Sequence, residues 1–273
     1  MIEAFSVPFM QRALIGGLLA GAVCSFLSVY IVLRRIVFVG VALAQLSSMG
    51  VALGFLLGGA PALISALPFG FVLLGVVALV ALQVAATRLK LPQEGAIGAT
   101  YAVALAATVL LVAKSPQGEM HVLELLTGNI LAITPGDIAL GVGIFAPVAV
   151  VHGLFFKEMV FTSFDRETAA ASGLRVGVWD TIFYIALGAA IAATIRLVGV
   201  LLGFAYLVLP GVIALMVAKG LRMAFPVAVA SGVVPTFVGL YLSYAWDLPS
   251  GPTVAACIAG VLLPAWAWSR FKS

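Results

Sequence analysis

Uninterrupted apolar stretches, each about as long as a membrane span, recur from one end of this 273-residue sequence to the other. A helix needs about 20 apolar residues to cross the ~30 Å hydrocarbon core of a bilayer. Because 64% of the residues are hydrophobic and only 9% are charged, the chain lies far from soluble domains, in which about a quarter of the residues are charged. The sequence therefore predicts an all-α, polytopic membrane protein, with residues 1–273 forming a single transmembrane domain.

Charged residues and Pro/Gly breaks divide the apolar sequence into candidate spans. A long apolar run that ends at such residues is typical of a membrane helix. Nine runs meet this description, at about 11–33, 39–59, 62–86, 95–114, 136–156, 177–196, 198–218, 223–245 and 250–269.

Most basic residues fall on one side of this nine-span arrangement. If the first span runs from outside to inside, only Arg12, Lys114 and Arg196 of the 14 basic residues lie outside. The other eleven lie inside: Arg34, Arg35, Arg88, Lys90, Lys157, Arg166, Arg175, Lys219, Arg222, Arg270 and Lys272. Lysine and arginine concentrate in cytoplasmic loops, so we expect the N-terminus outside and the C-terminus inside. The net charge of +4 then reflects topology and does not indicate a nucleic-acid partner.

The sequence contains no recognisable source of energy for transport. All ten acidic residues lie at span ends or in loops, whereas a carrier driven by protons or sodium usually has an ionisable group within the membrane. A phosphate-binding G-x-x-x-x-G-K-[ST] loop is also absent from the sequence. We therefore expect that this chain binds no cofactor and catalyses no reaction, and that a partner hydrolyses nucleotide for it.

The predicted inner loop at 163–174 contains the signals of a short helix. Asp165 is a good N-cap residue, and Glu167 suits the positive end of the helix dipole. Three alanines follow, and Gly173 can end the helix. The pattern predicts a two-turn helix on the cytoplasmic face.

A helix this short needs a surface to dock on, because helices under about 12 residues are marginal in water. Phe164 and Leu174 offer apolar anchors at its two ends. The surface could belong to a partner or to the membrane domain of this chain, and the local pattern favours neither.

The spacing of Glu167, Ala169 and Gly173 resembles the E-A-A…G loop of ATP-binding-cassette importers, a short helix that sits in a cleft of the ATPase. Seven segments, in order along the whole chain, resemble the manganese/zinc/iron permease family of these importers. They are Pro8-Phe9-Met10-Gln11-Arg12-Ala13-Leu14, Leu33-Arg34-Arg35, Gly50-Val51-Ala52-Leu53-Gly54, Gly128-Asn129-Ile130-Leu131, Ser163-Phe164-Asp165, Val198-Gly199-Val200-Leu201-Leu202 and Asp247-Leu248-Pro249-Ser250-Gly251-Pro252-Thr253.

This resemblance implies a homodimeric import permease for divalent metal ions in the bacterial plasma membrane. Two cytoplasmic ATPase subunits, which carry the ATP and Mg, would drive it, and an extracytoplasmic binding protein would deliver zinc, manganese or iron. The cargo path would lie between the two subunits. The resemblance places ATPase coupling on Ser163, Phe164, Asp165, Glu167, Ala169, Gly173 and Leu174.

One segment departs from the family pattern and affects the expected cargo. Family members typically read G-D-A-x-S-H at the start of the second span, where this chain has valine at position 41 and glutamine at position 45. An Asp and a His at these positions would share one helix face and could ligate a divalent cation. Val41 cannot ligate, so either this permease does not use a metal site in that helix or its cargo differs.

Four residues are candidates for lining the transport path. Gln45 and Ser48 lie one turn apart in the second span, and hydrogen bonding between helices explains them as well as path lining does. Prolines inside spans should kink or break helices, and Pro210-Gly211 is the preferred candidate for a hinge. Shape-fitting in a tightly packed bundle explains this pair equally well.

The outer loop at 115–135 contains an E-x-H-x-x-E cluster formed by Glu119, His121 and Glu124. Such a cluster could touch a metal ion as the ion leaves a binding protein. A solvated loop surface explains the same residues, so the metal ligands of this chain stay unassigned.

Two rival functions fit the hydropathy. The chain could be a self-contained carrier or exporter of small solutes, which would transport without a partner. It could also be a membrane scaffold that transports nothing, in keeping with the scarcity of charge within the spans.

Overall fold

The computed structural model describes residues 7–57, 93–114 and 133–272, together with positions 67, 70–72, 74, 75, 77 and 130. Within these residues the regular secondary structure is entirely helical, as the all-α prediction requires. The helices are α1 (Pro8–Leu33), α2 (Val39–Leu56), α3 (Gln93–Lys114), α4 (Pro135–Leu154), α5 (Phe156–Phe164), α6 (Arg166–Ala171), α7 (Val176–Val217), α8 (Leu221–Trp246) and α9 (Ser250–Lys272).

Seven helices in the described part of the chain are long and apolar enough to cross a membrane, namely α1 to α4 and α7 to α9. Six of them match single predicted spans to within a few residues, because the hydropathy that drives insertion also marks the helix ends. The predicted span at 62–86 lies almost wholly outside the described residues.

Helix α7 contains both of the predicted spans at 177–196 and 198–218. It has 42 residues, or roughly 63 Å at 1.5 Å per residue, about twice the thickness of the hydrocarbon core. Its backbone is non-helical at Gly199, where φ is 83° and ψ is 173°. Glycine adopts this left-handed φ without a Cβ clash.

The chain bends sharply at Gly199. A Cβ built on Gly203 would lie 3.0 Å from Cγ2 of Thr194, although residues nine apart in a straight helix are about 13.5 Å apart along its axis. The break therefore falls at Gly199, next to the boundary between the predicted spans at 177–196 and 198–218. The hinge at Pro210-Gly211 is a separate expectation and stays a prediction. Pro210 lies inside the helical part of α7, because its fixed φ is compatible with a helix even though its ring removes one hydrogen bond.

The chain forms two compact units. The first unit comprises residues 1–35, 127–150 and 193–273. In it α1 packs on α8, and α8 packs on α9. Its interior includes the fully buried side chains of Tyr30 and Tyr206.

Small residues on α1 allow close helix packing in this first unit. A Cβ on Gly21 would lie 3.2 Å from the ring of Tyr206, and a Cβ on Gly17 would lie 3.1 Å from Cγ2 of Thr236. Tyr206 and Thr236 are themselves joined by a buried hydroxyl–hydroxyl hydrogen bond of 2.5 Å. The glycine spacing on α1 thus serves helix packing, as small residues commonly do in membrane bundles.

The second unit comprises residues 36–126 and 151–192. Here α2 packs on α3, and α5 packs on α6. The predicted cytoplasmic loop and the first part of α7 belong to this unit. It therefore contains all of the residues proposed for ATPase coupling.

Candidate coupling site and transport path

Helix α6 begins with an N-cap formed by the side chain of Asp165. Asp165 has extended backbone torsions (φ −141°, ψ 92°). One oxygen of its carboxylate accepts a hydrogen bond from the Thr168 backbone N–H at 3.0 Å, and the other accepts from the Thr168 hydroxyl at 2.7 Å. The cap that the sequence predicted at Asp165 is therefore present, and it satisfies an N–H that α6 cannot pair by itself.

The other end of α6 closes in a Schellman motif. Gly173 has φ 85°, and its N–H donates to the carbonyl of Ala170 at 3.0 Å. The N–H of Leu174 donates to the carbonyl of Ala169 at 3.1 Å. These two bonds define the motif, so Gly173 ends the helix as predicted.

The residues assigned to coupling divide into an inward and an outward set. Ala169 is fully buried, and the hydroxyl of the buried Ser163 donates to the carbonyl of Met159 at 2.6 Å. Phe164 is 66% exposed, and Glu167 is also exposed. Ala169 therefore lies against the same chain, Ser163 is bonded within α5, and Phe164 and Glu167 face outward.

The hydrogen bonds from the side chain and backbone of Thr168 lower the pKa of the Asp165 carboxyl below its usual range. The ionised carboxylate therefore stabilises the cap fully at any pH above the pKa of an unfolded aspartate, about 3.9. This stabilisation is lost as the pH falls through the lower pKa that Asp165 has in the folded protein. The cap is consequently intact at neutral pH and weakens only below about pH 4.

We expect Asp165→Ala to speed amide hydrogen exchange of α6 severalfold at neutral pH, because the cap to Thr168 is lost. Asp165→Asn should keep near-normal exchange, since asparagine caps as well as aspartate, and should no longer respond to acid below pH 4. Exchange followed by mass spectrometry measures both. Equal exchange in the alanine variant and the parent would contradict the cap.

Of the two candidate path residues in α2, Gln45 bonds to α3 and Ser48 bonds within α2. Gln45 is 6% exposed, and its Nε2 donates to the hydroxyl of Thr108 at 3.1 Å. That hydroxyl donates in turn to the carbonyl of Ala104 at 2.7 Å, which leaves its oxygen to accept from Gln45. Ser48 bonds within its own helix, to the carbonyl of Ala44 at 3.2 Å. Gln45 thus makes a hydrogen bond between helices, and path lining by Gln45 stays a prediction.

The bond between Gln45 and Thr108 suggests an experiment that distinguishes helix joining from path lining as the role of Gln45. We expect Gln45→Leu to lower the thermal midpoint slightly, since interhelical hydrogen bonds in membranes average about 0.6 kcal/mol. The double variant Gln45→Leu/Thr108→Val should keep the stability and transport of the parent, because apolar side chains then replace both partners of the interhelical bond. A stable double variant that fails to transport would instead show that Gln45 lines the path.

Pro210 and Gly211 lie in the first unit, and Gly211 marks a close approach of two helices there. A Cβ on Gly211 would lie 2.5 Å from the carbonyl oxygen of Ser28. Only glycine lets the backbones of α7 and α1 approach this closely.

Sequence reasoning missed two ion pairs. Arg166 bonds Asp180 at 2.6 Å, and Arg196 bonds Asp137 at 2.8 Å. The sidedness of the predicted loops could have suggested each pair, since each joins residues expected at the same face of the membrane. Nothing local points to them, because they lie 14 and 59 positions apart.

The proposed outer-loop ligands Glu119, His121 and Glu124 lie outside the described residues. Among the residues that the structure describes, no three histidine, cysteine or acidic side chains lie close enough together to hold a metal ion.

Seven described helices of membrane length, almost wholly apolar, define a class: multi-pass membrane proteins. The profile of the ABC 3 transport family matches residues 6–269, and the chain belongs to this family. Its relatives are integral membrane proteins, so this chain is an integral, multi-pass membrane protein.

Named relatives span nearly the whole chain. The manganese import system permease protein ScaB of Streptococcus gordonii is 30% identical over 261 residues, covering 93% of this chain and 89% of ScaB. The manganese transport system membrane protein MntC of Halalkalibacterium halodurans is 25% identical over 254 residues, covering 92% and 84%. The solved structure of PsaBC from Streptococcus pneumoniae in complex with Fab superposes with a TM-score of 0.82 at 25% identity, covering 100% of this chain and 98% of the other.

Proposed function

We propose that this chain is the permease subunit of an ATP-binding-cassette importer for divalent metal ions, driven by a separate ATPase that docks on residues 163–174. The exposed side of α6 is the observation that carries the proposal. Glu167 is exposed on a helix that is capped at both ends and whose Ala169 is buried, and the exposed Phe164 ends the preceding helix α5. The manganese systems to which ScaB and MntC belong support the metal cargo.

The proposed topology has nine spans, with the N-terminus outside and the C-terminus in the cytoplasm. Six described helices account for one span each, and α7 is long enough for two. The apolar run at 62–86 supplies the ninth. This count keeps 163–174 on the basic, cytoplasmic side.

The proposed assembly is a homodimer in the bacterial inner membrane with two ATPase subunits and an extracytoplasmic binding protein. ATP and Mg are held by the ATPases, and this chain catalyses no reaction. Because an ion is very unfavourable in hydrocarbon, the cargo crosses through a protein-lined, hydrated path that opens to one side at a time. ATP hydrolysis moves α6, and the spans attached to it change which side is open.

The decisive experiment is uptake of radiolabelled manganese, zinc and iron into proteoliposomes that contain the permease, its ATPase and its binding protein. We expect uptake that requires ATP and all three components. Liposomes with this chain alone, under an ion gradient, are the matched control. Transport by the chain alone would establish the self-contained carrier and overturn the proposal.

A further inference from the structure

The ion pair between Arg166 and Asp180 joins the short helix α6 to the membrane helix α7. The Arg166 Nη2 lies 2.6 Å from the Asp180 Oδ2. The Asp180 side chain is 7% exposed and that of Arg166 is 44% exposed. Both residues belong to the second compact unit. The pair therefore has one nearly buried end in α7 and one half-exposed end in α6.

The helix that contains each residue does not favour that residue type at its position. Arg166 is the first residue of α6, where the positive end of the helix dipole disfavours a cation. Asp180 is nearly buried near the start of a membrane helix, and burying a carboxylate is costly unless it is paired. Local helix formation would be better served by other residues at both positions.

Helix α6 is rigid within itself but is connected to α7 by only a few residues. The Asp165 cap and the Gly173 motif close its two ends. Residues 172–175 are the whole connection between the end of α6 and the start of α7. The bond from Arg166 to Asp180 therefore attaches to α7 the end of α6 that lies farther along the chain from the 172–175 connection.

We infer that Arg166 is the positioning residue through which movement of α6 is transmitted to α7. This inference rests on the proposed function, because it assumes that an ATPase moves α6. With the pair intact, α6 cannot shift without pulling on α7, whose backbone is helical from Val176 up to the break at Gly199. Without the pair, α6 follows the ATPase while α7 stays in place, so ATP is hydrolysed without transport.

A double variant separates this role from a structural one. Arg166→Met alone removes a charged partner from the nearly buried Asp180 carboxylate, which is destabilising. Replacing both residues with apolar side chains removes the two charges together and costs much less, because no buried carboxylate is then left behind. A purely structural pair is therefore replaced successfully by Arg166→Met/Asp180→Leu. A transmitting pair is not, because the apolar side chains slide past each other. Arg175→Met, at an exposed arginine next to α7, is the matched control.

The test measures metal ions imported per ATP hydrolysed by the complete complex in proteoliposomes. For Arg166→Met/Asp180→Leu we expect a thermal midpoint close to that of the parent, normal recovery of the ATPase on purification, and at least a tenfold lower ratio of import to hydrolysis. Arg175→Met should keep the parent ratio. A double variant with the parent ratio would overturn the inference.

A second measurement does not depend on ATPase coupling. A nitroxide is attached at Ala170→Cys, on the exposed side of α6, in the full chain with Cys24 and Cys257 replaced by alanine. Its spectrum should show faster motion when the Arg166–Asp180 pair is removed, and unchanged motion would overturn the inference. If the parent complex imports nothing with ATP, the proposed function fails, while faster label motion would still show that the pair holds α6.

Discussion

Replacing Gly211 by alanine is expected to prevent most of the protein molecules from folding correctly. The added Cβ would lie 2.5 Å from the carbonyl oxygen and 2.7 Å from the carbonyl carbon of Ser28. These are backbone atoms of α1, so no side-chain rotation relieves the overlap. Overpacking typically costs about 1–3 kcal/mol and sometimes more, and we expect the upper end here because two helices must separate.

The measurement is the monodisperse fraction and thermal midpoint of the detergent-solubilised chain, compared with Gly143→Ala. Gly143 also lies in a membrane-length helix, but a Cβ there would meet no atom within 4 Å. That variant should be as stable as the parent or more so, since alanine is favoured over glycine in helices by up to about 1 kcal/mol. Equal stability of both variants would refute the close approach of α7 and α1.

Gly232→Ala provides a second comparison, because its clash is of a different kind. The new Cβ would overlap the hydroxyl oxygen of Ser25, which belongs to a side chain. We expect Ser25→Ala to restore much of the stability of Gly232→Ala, since it leaves only a contact of 3.0 Å with the Ser25 Cβ. Ser28→Ala should not restore Gly211→Ala, because the clash there is with the backbone.

Ala169→Asp is expected to abolish ATP-dependent metal uptake. Ala169 is fully buried where α6 rests on its own chain, and an unpaired carboxylate there costs several kcal/mol. Helix α6 would leave its place, and the proposed docking surface with Phe164 and Glu167 would be lost with it. We therefore expect uptake at background and poor recovery of the ATPase with the permease.

Ala170→Asp is the matched control, because it makes the same chemical change one residue further along α6. Ala170 is exposed, so the new carboxylate stays in water and α6 should keep its place, as judged by amide exchange. Because Ala170 lies on the exposed side of α6, where we propose that the ATPase docks, any loss of uptake in this variant comes from the docking surface and not from displacement of α6. Glu167→Ala should leave α6 in place, as judged by amide exchange, yet lower uptake if the ATPase contacts this residue. Full uptake in Ala169→Asp would show that α6 does not couple the two proteins.

Much of the fold follows from local sequence. The spans were predictable because an apolar run of membrane length has few alternatives to a helix in lipid. The ends of α6 were predictable because Asp165 and Gly173 act on backbone groups within three or four residues of themselves. The bend in α7 lies next to the predicted boundary between the spans at 177–196 and 198–218, but the sequence did not show that the backbone of Gly199 takes a left-handed φ there.

The candidate site was only partly predictable. The sequence identified the residues around Asp165, but it did not show that Ala169 is buried while Phe164 is exposed. It left two roles open for Gln45, and the bond to Thr108 from another helix favours one of them. These outcomes depend on how each helix is rotated about its axis, which hydropathy does not specify when nearly every residue is apolar.

By itself, the sequence determined that this chain is a bundle of membrane helices with a capped turn outside the spans, because hydropathy and end-capping act over a few neighbouring residues. The tertiary structure alone decided that Arg166 meets Asp180, and that Gly211 lies against the backbone of Ser28. The physical reason is the distance along the sequence over which each kind of interaction acts. Such contacts form between residues distant in sequence, and they exist only once the helices have packed at particular rotations and separations.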